Sequence, residues 1–295
     1  MPGADLFELC RKRTVLFDGA IGTELMRRGL PQGAVPEAWN ADRPEILREI
    51  HSAYFAAGAD VVTTNSFGAS SIKLAAHGNE DRARELNLAA ARLAASVRPA
   101  GRFIAGGIGP TGKFLKPQGE YVEAEFESAY EAQAGALAEG GVDVLIIETM
   151  FDLREASCAL QAAKTAARLP VLVTMTFNRT KRGFFTLMGQ GIAACAEELE
   201  RLGAAAVGAN CTLSSEGMIG LARELKAATS LPIILQPNAG QPQIGPAGEL
   251  IYAQSVEDFV RDMRAIAAEG ADMVGGCCGT TPDHIRALAG SLAGR

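Results

Sequence analysis

Ala57-Gly58-Ala59-Asp60-Val61, Glu139-Gly140-Gly141-Val142-Asp143 and Glu269-Gly270-Ala271-Asp272-Met273 write one pattern three times. In each, an Ala-rich helical stretch closes on glycine and a short apolar run opens almost at once. Glycine supplies the left-handed conformation that ends a helix. A helix that hands over directly to a strand is half of a βα unit, and recurrence along the chain marks a repeated unit.

Working outward, eight apolar runs are predicted as strands: 15–18, 60–65, 103–108, 142–149, 171–177, 205–211, 233–237 and 273–277. Most are near-continuously apolar, as parallel strands covered on both faces must be. Helical patterns fill the gaps, for example 44–57, 81–97, 120–139 and 256–269. A doubly wound open sheet is the competing architecture. Eight strand–helix units in 295 residues predict a closed (β/α)8 TIM barrel, an α/β fold. No Gly/Ser-rich linker interrupts the text, so residues 1–295 read as a single domain. The longest connections, 111–118 and 178–191, follow strands three and five.

Composition narrows the function. With 48% hydrophobic residues the chain can bury a large core. A net charge of -6, a pI near 5.3 and no basic stripe argue against nucleic acid or an anionic membrane as partner. Met1-Pro2-Gly3-Ala4-Asp5 is no secretory leader, and no apolar run approaches the ~20 residues that span a bilayer. The expected location is the cytoplasm. Six cysteines at irregular spacing do not make a disulfide scaffold. Cys10, Cys158 and Cys195 read as ordinary thiols.

In this barrel, chemistry sits at the C-terminal strand ends. Those ends carry Asp18-Gly19-Ala20-Ile21-Gly22-Thr23, Thr64-Asn65-Ser66-Phe67-Gly68, Gly109-Pro110-Thr111-Gly112, Glu148-Thr149, Asn210-Cys211, Pro237-Asn238-Ala239-Gly240 and Gly275-Gly276-Cys277-Cys278-Gly279. Cys211 and Cys277 are too far apart for a zinc-ribbon spacing. On a barrel, however, strands six and eight are one strand apart. Cys211, Cys277 and Cys278 then form a three-thiolate cage for a soft ion, most simply Zn²⁺, with one position open. A substrate thiol entering there would lose its proton. Reduced core cysteines, or redox chemistry, are the rival readings.

Asp18 and Glu148 can fix a cationic α-amino group or act as general base. The glycine-rich stretches 109–112 and 276–279 offer backbone N–H groups to a carboxylate or phosphate. His51, His77 and His284 are poor metal-ligand candidates. Trp39 can wall a substrate or simply pack. Lys164 and Lys226 fall in helices, which argues against a Schiff-base aldolase. No Rossmann, Walker or His-Glu-x-x-His motif is present.

These strand-end motifs, together with Thr280-Thr281-Pro282 and Glu24-Leu25, resemble the homocysteine S-methyltransferase family over nearly the whole chain. Within it they look nearer to the homocysteine-binding barrel of cobalamin-dependent methionine synthases than to betaine-dependent members. The resemblance implies zinc on Cys211, Cys277 and Cys278. It implies that Asp18 and Glu148 act at the amino-acid end of homocysteine, with Thr149 also at the substrate. Backbone amides near Gly19 and Asn65 would hold its carboxylate. Asn238 is the expected weak fourth ligand, leaving when substrate arrives. With no corrinoid or folate module visible after the last helix, the expected methyl donor is methylcobalamin on a partner protein or a related corrinoid/methylfolate system supplied separately. The alternatives are a small onium donor (S-methylmethionine or betaine) and a lyase-type barrel with a phosphate site. An onium donor would call for an aromatic cage, with Phe67, Phe151, Phe184, Phe185 and Tyr121 as candidates.

Overall fold

A computed structural model describes residues 2–245 and 250–292. Eight parallel strands form the centre: β1 (Val15–Leu16), β2 (Val61–Thr63), β3 (Phe103–Ile108), β4 (Val144–Met150), β5 (Val171–Met175), β6 (Ala206–Ser214), β7 (Ile233–Asn238) and β8 (Met273–Val274). Each strand lies beside its sequence neighbours, and β8 pairs with β1. A parallel bridge between Phe17 and Val61, with Asp60 N–H donating to Leu16 O at 2.7 Å, joins β1 to β2 and closes the ring. The open-sheet alternative is thereby excluded.

Strand alternation divides the core into two layers. Val15, Phe17, Val61, Phe103, Ala105, Val144, Ile146, Leu172, Ala206, Ile234 and Met273 fill the barrel. Their out-facing neighbours Leu16, Val62, Ile104, Leu145, Val173, Val207, Leu235 and Val274 pack under the helices. The helix Pro2–Lys12, absent from the sequence reading, closes the floor and buries Leu6 fully among the in-facing side chains.

The recurring Gly-x-Asp text, with Ala, Val and Ala in the middle, has a definite task at the lower rim. Gly58, Gly141 and Gly270 end their helices at φ of 104°, 95° and 102°. The aspartate that follows two residues later turns to the preceding strand. Asp60 accepts Leu16 N–H at 3.0 Å, Asp143 accepts Ile104 N–H at 2.8 Å, and Asp272 accepts Ile233 N–H at 2.9 Å. Each also meets a cation: Arg13 and Arg102 at Asp60, Arg98 at Asp143, Lys226 at Asp272. Gly203 (φ 85°) repeats the turn before β6, with Ala205 where the other three carry aspartate.

Two departures from the predicted strands shape the upper rim. β6 does not stop at Cys211. It continues to Ser214 through Cys211 (φ 58°) and Thr212 (φ 57°), both left-handed, with a register shift against β7. The connection after β7 is also elaborate: Pro242–Ile244 pairs with Leu250–Tyr252 as an antiparallel ladder. A second such ladder, Asn178–Thr180 with Gly183–Phe185, occupies the predicted long loop after β5. No helix among the described residues is long and apolar enough to cross a membrane.

Candidate active site

In-facing positions change character as each strand climbs. Ile146 is followed by Glu148, Leu172 by Thr174, Ala206 by Gly208 and Asn210, Ile234 by Gln236 and Asn238, and Met273 by Gly275 and Cys277. The apolar interior thus opens into a polar mouth at the C-terminal ends. A cavity of about 320 Å³ sits there, lined by Asp18, Glu148, Cys211, Cys277 and Cys278 among others. Glycine makes room at two close approaches. A Cβ on Gly208 would lie 1.9 Å from Ile234 O, and one on Gly107 would meet Glu148 Oε1 at 3.2 Å.

The three sulfurs lie within 4.8 Å of one another, with Cys211 and Cys278 at 4.0 Å. Four-coordinate zinc with Zn–S near 2.3 Å needs sulfurs about 3.8 Å apart, so a small adjustment completes the fit. Hydrogen bonds from Cys277 and Cys278 pull the Cys211 thiol well below its ordinary range. The same sharing, with burial, pushes Cys277 up, and the bond to Cys211 takes Cys278 up to about 11. Asn238 lies next to Cys211 and helps to lower it, while its buried Oδ1 has no partner among the described residues. A buried acceptor without a partner, on a side chain next to Cys211, fits a fourth ligand position.

The carboxylates stand opposite. Asp18 accepts Thr63 N–H at 2.8 Å and Thr63 O–H at 3.1 Å. Burial outweighs those bonds and raises Asp18 to about 7. Burial, then the charges of Asp18 and Cys211, raise Glu148 to about 8. No cation enters either balance. Gly19 lines the cavity, and its Cα is packed so closely that a Cβ would meet Thr280 Oγ1 at 2.6 Å. Asn65 lines it too, its side-chain amide engaged with Pro36 O and Asn40 Oδ1. Thr149 is left-handed (φ 64°), and Asn210 accepts its N–H through Oδ1 and donates to its hydroxyl oxygen through Nδ2.

Several expectations are corrected. The glycine-rich stretches do not offer free amides as a set. Gly109 N–H goes to Phe67 O, Thr111 N–H to buried Glu155, Gly276 N–H to Asp18 O and Gly279 N–H to Thr23 Oγ1. The last two instead tie the loop after β8 to the loop after β1, and the phosphate reading loses its basis. The aromatic cage is not assembled as expected: only Phe67 of the five candidates lines the cavity. Phe184 is buried, Tyr121 packs on Phe126, Phe151 on Phe114, and Phe185 lies under Arg182. Trp39 packs on the core beneath Arg43 rather than walling the cavity.

The structure adds residues that sequence reasoning missed. Gln236 and Asn210 follow from strand alternation alone. Tyr252, from the ladder after β7, lines the cavity together with the three cysteines. Glu37 lines the outer cavity and accepts Gly68 N–H at 2.6 Å. Nothing local in the sequence marks these last two.

Fold and site define a βα barrel with a three-thiol centre facing buried carboxylates at its catalytic rim. A sequence model described as homocysteine S-methyltransferase matches residues 15–292, and the chain belongs to that family. It is 33% identical to methionine synthase of Mycobacterium leprae and 32% to that of Mycobacterium tuberculosis, over 98% of this chain in each case. The chain spans about a quarter of the length of these relatives. Among solved structures, the metallated homocysteine methyltransferase MmuM from Escherichia coli superposes with a TM-score of 0.82 at 24% identity, covering 99% of this chain and all of that one. A methyltransferase from Methanosarcina mazei reaches 0.64 at 12% identity, covering 99% and 98%. These two likenesses concern the fold.

Proposed function

We propose that this chain binds homocysteine and, with zinc on Cys211, Cys277 and Cys278, transfers a methyl group to its sulfur to give methionine. The observation that carries the reading is the meeting of three thiols and two cation-free carboxylates in one cavity. Zinc held by these thiolates supplies a Lewis acid that favours the thiolate form of an incoming thiol at neutral pH.

The chain's own residues do the rest. Asp18 and Glu148 receive the substrate ammonium, whose charge draws both carboxyls back to the ionised form. Backbone amides at Gly19 and Asn65 receive the carboxylate, and Thr149 borders it. The amino acid is thereby fixed at one end with its sulfur directed to the cysteines. Asn238, whose buried Oδ1 has no partner among the described residues, would offer a weak fourth ligand to zinc that an incoming substrate sulfur could replace. In the reaction the thiol proton passes to solvent water and the thiolate sulfur attacks the methyl carbon in line. A C–S bond forms, and the electron pair of the broken bond departs with the donor. Positioning is the main protein contribution.

We infer a donor of the corrinoid/methylfolate type, carried on a separate protein or module. Relatives named methionine synthase, much longer than this chain, support it. So does the rim. Met26, Phe67, Phe114, Val122, Leu187, Ile244 and Ile251 are the exposed large hydrophobics among the described residues, and all seven follow a barrel strand on the cavity side. Exposed apolar side chains on the loops of this face, with Met26 and Phe67 lining the cavity itself, suit a macromolecular donor. One observation favours a second reading, a small sulfonium or ammonium donor: Glu37 adds a third carboxylate to the cavity lining.

The test is methionine formation from homocysteine by zinc-loaded protein with methylcobalamin, S-methylmethionine or betaine. Turnover with methylcobalamin alone supports the corrinoid reading, and turnover with an onium compound alone replaces it. A protein that binds neither zinc nor homocysteine overturns both.

A further inference from the structure

We propose that Asn210 is a positioning residue that locks the end of β4 to the thiol cage, orienting Glu148 and steadying Cys277 through one carboxamide. The substrate half of this inference rests on the function proposed above; the metal half does not.

Asn210 is buried and faces the barrel interior. A carboxamide has two donor hydrogens and an oxygen that accepts twice. Here all four are used, on three different strands or their loops. Oδ1 accepts Thr149 N–H at 2.7 Å and Thr174 O–H at 2.7 Å. Nδ2 donates to Thr149 Oγ1 at 2.7 Å and to Cys277 Sγ at 3.8 Å. A buried asparagine serving only the fold would not need to end on a sulfur of the thiol cage.

The β4 contacts answer a specific strain. Thr149 is β-branched yet left-handed (φ 64°), a conformation that persists only where the surroundings impose it. Two bonds from Asn210 impose it. The kink falls between Glu148 and Met150, where the β4–β5 register shifts, so it sets the direction in which Glu148 leaves the strand. On the cage side, an N–H directed at a thiol sulfur orients a ligand and tunes its charge, as outer-sphere partners of metal ligands do. The one amide therefore links the site for an amino-acid ammonium to the site for a metal.

The two halves separate by substitution. Asn210→Asp keeps the acceptor for Thr149 and Thr174 but cannot donate to Cys277. Asn210→Ala loses both. Thr149→Gly removes the backbone penalty, so the kink no longer needs the clamp. Zinc affinity is read by chelator competition and cage geometry by the charge-transfer bands of the cobalt(II) protein. The amino-acid end is read by binding of 2-aminobutyrate, which has the ammonium and carboxylate but no sulfur. Asn210→Ala is expected to weaken zinc and 2-aminobutyrate each by about 10-fold or more. Asn210→Asp should weaken zinc and shift the cobalt bands with 2-aminobutyrate binding retained. Asn210→Ala/Thr149→Gly should recover 2-aminobutyrate but not zinc. A folded Asn210→Ala with unchanged zinc affinity and cobalt spectrum overturns the proposal, as does an Asn210→Asp that loses both ligands equally. Should Asn210→Ala not fold, the isosteric aspartate carries the test. Wild-type protein that binds cobalt but no amino acid would sink the methyl-transfer reading, while the metal measurements still judge Asn210.

Discussion

Asp60, Asp143 and Asp272 on the lower rim and Asp18 and Glu148 on the upper rim are carboxylates at the two ends of one set of strands, yet their surroundings are opposite. Each lower carboxylate accepts a strand N–H and faces an arginine or lysine. Their needs are met within the protein. The upper pair is buried without a cation, and burial raises Asp18 to about 7 and Glu148 to about 8. A carboxylate completed by its own chain stabilises the barrel; one left incomplete waits for a ligand. The same division governs the thiols: Cys158 and Cys195 are single and buried, whereas three converge at the upper rim. It matches the general separation of stability and chemistry between the two faces of this fold.

Changes on the upper rim should break function first. The largest effect is expected for Cys211→Ala. It leaves two thiols where three are required, and bound zinc should fall from about one equivalent to near none by elemental analysis. Retention of stoichiometric zinc would refute the cage. Next is Glu148→Gln, expected to weaken homocysteine binding about 10²-fold by calorimetry, as loss of one partner of a buried charge pair does.

That same substitution carries a stability prediction of opposite sign. Glu148 is raised from 4.5 to about 8 on folding, so between those values the folded state holds a proton that the unfolded state has lost. Stability therefore falls as pH rises through the window, on the order of a few kcal/mol in all. Metal-free Glu148→Gln should melt above metal-free wild type at pH 9 and level with it at pH 4. Equal melting at both pH values would show that the carboxyl is not strained in the empty site.

The lower rim should respond the other way round. Asp60→Asn keeps an acceptor for Leu16 N–H but releases Arg13 and Arg102. Arg13 is half exposed, so solvent screens part of the loss, and about 2 kcal/mol of stability is expected to go. Thermal melts should register it with no change in homocysteine affinity. A change in affinity without a change in melting would mean that the two rims are not separate.

Most of this division is written in the sequence. The Gly-x-Asp text announces the units, and in-facing positions read at a period of two already place Glu148, Asn210, Asn238 and Cys277 at one mouth. What stays hidden depends on chain that leaves the strands. Tyr252 reaches the cysteines only because the segment after β7 folds back as a ladder. Glu37 reaches the cavity through a loop whose path is fixed by distant Gly68 and Asn65. The kink at Thr149 was equally illegible, since threonine normally avoids the left-handed region and only Asn210, remote in sequence, makes it tolerable. The supposed anion-binding glycines failed for the converse reason: their amides found partners on neighbouring loops that no local pattern reveals.

The smallest expected effect sharpens the comparison at the turn that opens each lower-rim unit. Gly58 and Gly141 occupy equivalent places at φ of 104° and 95°. A Cβ at Gly141 meets nothing within 4 Å, whereas one at Gly58 would lie 2.8 Å from Ala289 Cβ. Gly141→Ala therefore isolates the backbone penalty, about 1–2 kcal/mol. Gly58→Ala adds a steric conflict with the last helix, Pro282–Leu292, and should cost more. Denaturant melts of the two variants should differ in midpoint but not in slope. Equal losses would mean that the last helix yields freely at Ala289, and that the repeated glycine serves only to end a helix. Unequal losses would show that at the first unit it also admits the last helix against the floor of the barrel.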